Sequence, residues 1–141
     1  MSIFFPTTHG LAWDFSNHVF QGVAHPNAIE QQSAKVAASH GCSLECFQSN
    51  AEHALIDRIH GARAAGVGFI VINPGAFTHY AWSIHDALAT FAGPVVEVHI
   101  SNPNAREAWR HTSVVAPVAT GSIMGFGMHG YELAVEAIAS S

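Results

Sequence analysis

Gly68-Phe69-Ile70-Val71-Ile72-Asn73-Pro74-Gly75 reads as a strand running into a turn. Every residue of GFIVI after the first is apolar, with no alternation. That is the pattern of a strand covered on both faces, and so of a parallel sheet flanked by helices. Asn-Pro-Gly then ends the strand with a loop signal.

Working outward, Ala51 to Ala65 (AEHALIDRIHGARAA) places Leu55, Ile56 and Ile59 at helical spacing and stops before Gly66. Before it lie a strand, SLECFQ, and a helix from Asn27 to about His40 closed by Gly41. Beyond the turn come a helix from about Ala81 to Phe91, a Gly93-Pro94 turn and the strand VVEVHI. The spacing then predicts a short helix over 105–110, a last strand over 114–124 and a final helix over 129–139. Ile3-Phe4-Phe5 is a short first strand, and Pro6 through Ala24 has no period and reads as a long loop. Loops of that length in compact domains are usually functional or mobile.

The alternation predicts an α/β fold, a flavodoxin-like three-layer sandwich with a five-stranded parallel sheet and right-handed crossovers. Residues 1–141 are expected to form one domain, of which 1–25 are the short strand plus the long loop. Ligands of such sheets bind beyond the carboxyl ends of the strands. Asn73-Pro74-Gly75, His99 to Asn102 and the early loop are therefore expected in one neighbourhood.

Composition narrows the partners. The 141 residues are 49% apolar and 11% charged, which leaves little polar surface to cover a monomer and predicts a homo-oligomer. Five Lys+Arg against ten Asp+Glu give a net charge of −5. No basic face is available for a phosphate backbone or an anionic membrane, so neither nucleic acid nor membrane is expected as a partner. MSIFFPTTHG lacks the basic start and apolar run of a signal peptide, and no segment approaches the roughly eighteen apolar residues of a membrane span. A cytoplasmic protein is expected. Cys42 and Cys46, four apart on a predicted strand, read as buried reduced thiols. Eleven histidines include no His-x-x-x-His pair on a predicted helix and no zinc-type cluster, so no metal or other cofactor is expected.

Within VVEVHISN, Glu97, His99 and Ser101 alternate and project to one side, Val96, Val98 and Ile100 to the other. A Glu two places before a His can accept a hydrogen bond from the imidazole and make the ring a candidate general acid. A satisfied buried polar pair is the alternative. The segment from Asn73 to His79 supplies an amide side chain and a turn of N–H groups able to hold an anion, an oxyanion or a water. It also reads as a β-to-α loop with Thr78 capping the next helix. Asp86, four after Trp82 on YAWSIHDALATF, reads as a solvated carboxylate. Arg106 and Arg110, four apart on AREAWR, share a helical face and suggest a carboxylate partner, or else salt bridges to Glu107 or Glu97.

FQSNAEHALIDRIHGA, VINPGAFTH, SIHDAL, PVVEVHISNPNAREAWRHTSVVAPVATG and IMGFGMHGYELAVEA together resemble the type II 3-dehydroquinate dehydratase (type II dehydroquinase) family, over about Phe47 to Ala137. The resemblance implies a flavodoxin-like subunit assembled into a dodecamer of trimers. It implies a hydro-lyase of the shikimate pathway of aromatic amino acid biosynthesis, with a small cyclic carboxylate as substrate. Water would leave 3-dehydroquinate by anti elimination through an enolate. By the same resemblance Asn73 holds the water that stabilises the enolate, and His99, which the strand pattern pairs with Glu97, protonates the leaving hydroxyl. The N–H groups of Ile100 and Ser101 and the Ser101 hydroxyl hold the substrate carboxylate. His79 and Arg110 bind ring hydroxyls, and Asp86 reaches the site of a neighbouring subunit.

The early region departs from the family pattern, a strand running into NGPNLNLLG and then a loop bearing an Arg that activates a Tyr, the tyrosinate base. Here it reads IFFPTTHGLAWDFSNHVFQG. Counted back from FQSN, Gln21-Gly22 falls where Tyr-Gly belongs, Ser16 where the Arg belongs, and His9 near an Asn that orders the site. No Arg or Tyr occurs before Arg58. An amide cannot abstract the proton, so a substitute base is expected among His9, His18, Asp14 or a water. His85 stands where an Arg is usual, and Tyr80-Ala81-Trp82 replaces smaller residues around the pocket. Three functions stay open: a dehydratase acting on dehydroquinate, a diverged enzyme of the same fold acting on another small cyclic substrate, and a non-catalytic ligand-binding protein.

Overall fold

The computed structural model describes residues 2–7 and 26–140. In chain order the regular elements are β1 (Ser2–Thr7), α1 (Pro26–Ser39), β2 (Ser43–Gln48), α2 (Glu52–Ala64), β3 (Val67–Ile72), α3 (Trp82–Ala89), β4 (Val95–His99), β5 (Gly121–Met124) and α4 (His129–Ala139). The strands hydrogen-bond in the order β2-β1-β3-β4-β5, every neighbouring pair parallel. The α/β class and the parallel sheet are as the sequence predicts. Strand order reverses between β1 and β3, the kind of switch point beside which doubly wound sheets bind ligands.

Residue parity along the central strands sorts the core into two layers. Ile70 and Ile72 of β3 and Val95 of β4 pack with Leu55, Ile59 and Ala62 of α2 and with Ile84, Ala87 and Leu88 of α3. Their alternates Phe69, Val71, Val96 and Val98 pack on the opposite face with Tyr131, Ala134, Val135 and Ile138 of α4 and Ala37 of α1. Each large apolar side chain buried this way contributes roughly 1.5–3 kcal/mol. The uninterrupted apolar run of β3 thus feeds both layers. Glu97 and His99 fall on the α2/α3 side with Val95, and Asn73 falls on the α4 side with Phe69 and Val71.

Gly41 and Gly66 follow α1 and α2 with φ of +70°, the left-handed closing conformation in which a side chain would be strained. Among the described residues no helix is long and apolar enough to cross a membrane.

Three local expectations are corrected. Residues 105–110 are not a helix: 3₁₀ turns at Pro103–Ala105 and Ala108–His111 flank an extended Arg106. Pro103 and the Asn102 side chain, which accepts from Asn104 N at 3.0 Å, shape the first turn. Arg106 and Arg110 therefore share no helical face. The last strand is not 114–124 but Gly121–Met124, because Ser113 and Pro117 shape a tight turn over 113–118 that keeps that segment off the ladder. Cys42 precedes β2 rather than lying on it; it is buried, Cys46 is half-buried, and both thiols are free.

Candidate active site

At the carboxyl end of β4, Glu97 is fully buried and His99 is 7% exposed. His99 Nε2 donates to Glu97 Oε1 at 2.8 Å. Thr78 Oγ1 donates to the same oxygen. Ser113 Oγ reaches both carboxylate oxygens, at 3.1 and 3.2 Å, and Ser122 Oγ reaches Oε2 at 3.3 Å. Burial pushes the Glu97 carboxyl up, but hydrogen bonds from His99, Thr78 and Ser113, with the attraction of His99, outweigh it. The net effect is a pKa below the ordinary carboxylate value. An unpaired carboxylate here would cost several kcal/mol; four donors make the burial tolerable. The expected Glu97–His99 pair is therefore present, within a larger network.

Thr78 does not cap α3. That helix has no side-chain cap at its N-terminus, and the Thr78 hydroxyl is committed to Glu97.

Asn73 lies at the end of β3 and is 8% exposed. Its Nδ2 donates to the Tyr131 hydroxyl at 2.7 Å and its Oδ1 accepts from Gly75 N at 3.1 Å. This is an Asx turn, which mimics one more turn of backbone. Phe77 N bonds Pro74 O at 3.1 Å. The turn therefore uses the Gly75 and Phe77 N–H groups internally, and the expectation that it offers them to an anion does not hold for those two. Burial raises Tyr131 to about 12, although the bond from Asn73 works the other way. It is a neutral phenol at pH 7.

A second cluster adjoins this network. His79 Nδ1 donates to Thr112 O at 2.8 Å, and its ring meets Trp109 edge-on at 5.1 Å. The Arg110 guanidinium lies 4.0 Å from the centre of the Trp109 ring, and its Nε donates to Glu107 at 2.7 Å. Arg106 also approaches Glu107, at 3.6 Å. Of the alternatives for the two arginines, the bridge to Glu107 is the one observed. His85 Nδ1 donates to Val114 O at 2.6 Å and its ring packs against Trp82.

Ile100 is half-buried and Ser101 exposed, just past the end of β4. Gly125 N and Gly127 N bond the carbonyls of His99 and Ile100 at 3.1 and 2.9 Å, so the loop after β5 fixes that corner. Asp86 is exposed on α3. His9, His18 and Asp14 lie outside the described residues. The participants that sequence reasoning missed are Ser113, Ser122, Trp109 and Tyr131. No short-range pattern marks them, because each meets its partner across a fold-level contact or on an irregular turn.

A doubly wound α/β protein with a buried carboxylate–imidazole pair and an anchored asparagine at adjacent strand ends has the groups for acid–base chemistry on a small ligand. The family model described as "Dehydroquinase class II" matches residues 17–139. Over 110 residues the chain is 53% identical to the 3-dehydroquinate dehydratase of Bacillus cereus (strain AH187), covering 78% of this chain and 75% of that one. It is 51% identical to the 3-dehydroquinate dehydratase of Anoxybacillus flavithermus, over 78% and 74% of the two chains. The crystal structure of type II dehydroquinase from Butyrivibrio crossotus superposes with a TM-score of 0.89 at 38% identity, covering 100% of this chain and 98% of that one. That from Propionibacterium acnes gives 0.89 at 33% identity, over 99% and 97%. The chain belongs to the class II dehydroquinase family.

Proposed function

We propose that the protein is a hydro-lyase that eliminates water from 3-dehydroquinate, or a closely related cyclic hydroxy acid, through an enolate. The observation that carries this reading is the Glu97–His99 pair at the end of β4, with Asn73 at the end of the neighbouring β3, in a chain about half identical to two 3-dehydroquinate dehydratases. A base removes a proton from carbon next to the ketone, and the electron pair enters the enolate. A water held by Asn73 stabilises the enolate oxygen. The enolate then collapses to the enone as the hydroxyl leaves with a proton from His99, so one water is released. Glu97 holds the His99 ring; Ile100, Ser101, His79 and Arg110 orient the carboxylate and ring hydroxyls. Such positioned proton transfer typically contributes 10²- to 10⁴-fold.

The base is the open position, since no Arg or Tyr precedes Arg58. His9, His18 and Asp14 are the candidates to replace it. The same absence favours a second reading, an enzyme of this fold acting on a different small cyclic acid. If the base was lost without replacement, the result is a non-catalytic binding protein.

The assembly we propose is a homo-oligomer, a dodecamer of trimers, in which Asp86 reaches a neighbouring site. Tyr80, Trp82 and Phe126, each more than half exposed, support an interface. A flavodoxin-like three-layer sandwich, a cytoplasmic location, a place in the shikimate pathway and no cofactor belong to the same reading.

The test is the appearance of enone absorbance on adding 3-dehydroquinate, with His99→Asn as control. Turnover that falls at least a hundredfold in the control supports the reading. Absence of turnover above the control overturns it in favour of the other two, which are separated by screening cyclic acids for conversion or for binding alone.

A further inference from the structure

Ser113 lies on no regular element, yet its position is fixed from every side. Thr112 O accepts from His79 Nδ1 at 2.8 Å, Val114 O accepts from His85 Nδ1 at 2.6 Å, and Val114 N donates to Thr78 O at 2.7 Å. The Ser113 hydroxyl accepts from Val115 N at 3.1 Å and Ala116 N at 2.8 Å. A hydroxyl has two lone pairs and one proton. With both lone pairs occupied by backbone N–H groups, the proton faces the Glu97 carboxylate at 3.1 and 3.2 Å and the Thr78 hydroxyl at 2.8 Å, and by either route the donor chain ends on Glu97. Thr78, 2.8 Å from Ser113, cannot donate to it and gives its own proton to Glu97.

We propose that Ser113, together with Thr78, is a positioning residue that keeps Glu97 a pure acceptor and so dictates which nitrogen of His99 carries the transferable proton. Glu97, surrounded by donors, takes the Nε2 proton of His99 as a further hydrogen bond, and Nδ1 is left to exchange with the ligand. His99 is the titratable group in contact with Glu97; Thr78, Ser113 and Ser122 are neutral, and His79 and His85 act through the backbone on either side of Ser113. The catalytic half of this inference rests on His99 being the acid of the proposed dehydratase. The tautomer and the charge of Glu97 can be read without any substrate.

The experiment is NMR of the full chain labelled with ring-¹⁵N histidine and carboxyl-¹³C glutamate, followed against pH, with His99→Asn and Glu97→Gln used for assignment. Neutral His99 is expected as the Nε2–H tautomer, with Glu97 ionised down to low pH. Ser113→Ala and Thr78→Val each move the Glu97 titration up by about one pH unit, and Ser113→Thr restores it. Loss of a merely structural contact would lower the melting temperature without moving that titration. Thr78→Val leaves the backbone bonds to Ser113 Oγ in place, so it decides the matter if Ser113→Ala does not fold. An Nδ1–H tautomer in the wild type, or an unmoved Glu97 titration in Thr78→Val, overturns the proposal. Dehydroquinate turnover is measured on the same samples. No wild-type turnover with the expected spectra sinks the dehydratase reading alone; turnover with an unmoved Glu97 sinks this one alone.

Discussion

The Asn73 amide and the Tyr131 hydroxyl meet at 2.7 Å, joining the end of β3 to α4 across 58 residues of chain. Because the Asn73 oxygen is bound to Gly75 N, the two contacts together fix which way the amide faces. Tyr131→Phe removes the acceptor while keeping the ring in the core. Urea denaturation should show a loss of about 1–3 kcal/mol, and turnover of dehydroquinate should fall as the amide loses its fixed orientation. Unchanged stability together with unchanged turnover would show that Tyr131 does not hold Asn73. The phenol also gives a pH signature. Its folded pKa is raised, from 10.0 to about 12, so its contribution to stability is complete below 10 and is lost as pH rises through about 12. That alkaline slope should flatten in Tyr131→Phe.

Glu97 has the opposite sign. Its pKa is lowered from the ordinary 4.5, so its contribution is present above that value and is lost as pH falls through the folded pKa. Glu97→Gln turns an acceptor into a group that is half donor, facing Thr78, Ser113, Ser122 and His99. We expect about 1–3 kcal/mol lower stability at pH 7 and a shallower decline between neutral and acid pH. Thermal melts over that range check it, and parallel curves for the two proteins would contradict it.

Trp109 is a shared platform for His79 and Arg110. It is 55% exposed, so its removal should change stability little. A cation–π contact at an exposed site is worth roughly 0.5–1 kcal/mol. Trp109→Ala is expected to raise KM for dehydroquinate several-fold while kcat changes less, and Trp109→Phe to recover most of the loss. A pure kcat effect in steady-state kinetics would contradict the platform role.

Gly93 turns the chain into β4. A methyl group there would collide with the Gly68 carbonyl and the Phe91 ring, whereas one at Gly121 would meet nothing within 4 Å. Gly93→Ala should therefore cost about 1–3 kcal/mol through overpacking, with Gly121→Ala as the benign comparison in the same denaturation assay.

Much of this architecture is legible along the chain. GFIVI and VVEVH declare themselves as buried strands by composition, and α2 by Leu55 and Ile59 at helical spacing. What misled was local: AREAWR has helical composition, but Pro103 and the extended Arg106 divide it into two tight turns, and VVAPVATG looks like strand although Ser113 and Pro117 curl it. The site shows the same division. Glu97 and His99 sit two apart on one strand and can be paired by eye. Ser113 and Ser122 reach Glu97 from 16 and 25 residues away, distances over which a single sequence carries no visible periodicity. Thr78 was readable as a polar residue after the NPG turn, but helix capping and carboxylate binding look alike until β4 is in place beside it.

The buried carboxylate also acts as a proofreader of assembly. Slipping β4 by one residue would turn Glu97 toward Phe69, Val71 and the apolar side of α4, because side chains alternate along a strand. A charge stranded there would penalise the misaligned structure by several kcal/mol. In the correct register the four groups that receive it come from the turn after β3, the segment following Trp109, β4 itself and β5. The charge is therefore fully accommodated only in the native register, which makes Glu97 a lock on that register as well as the partner of His99.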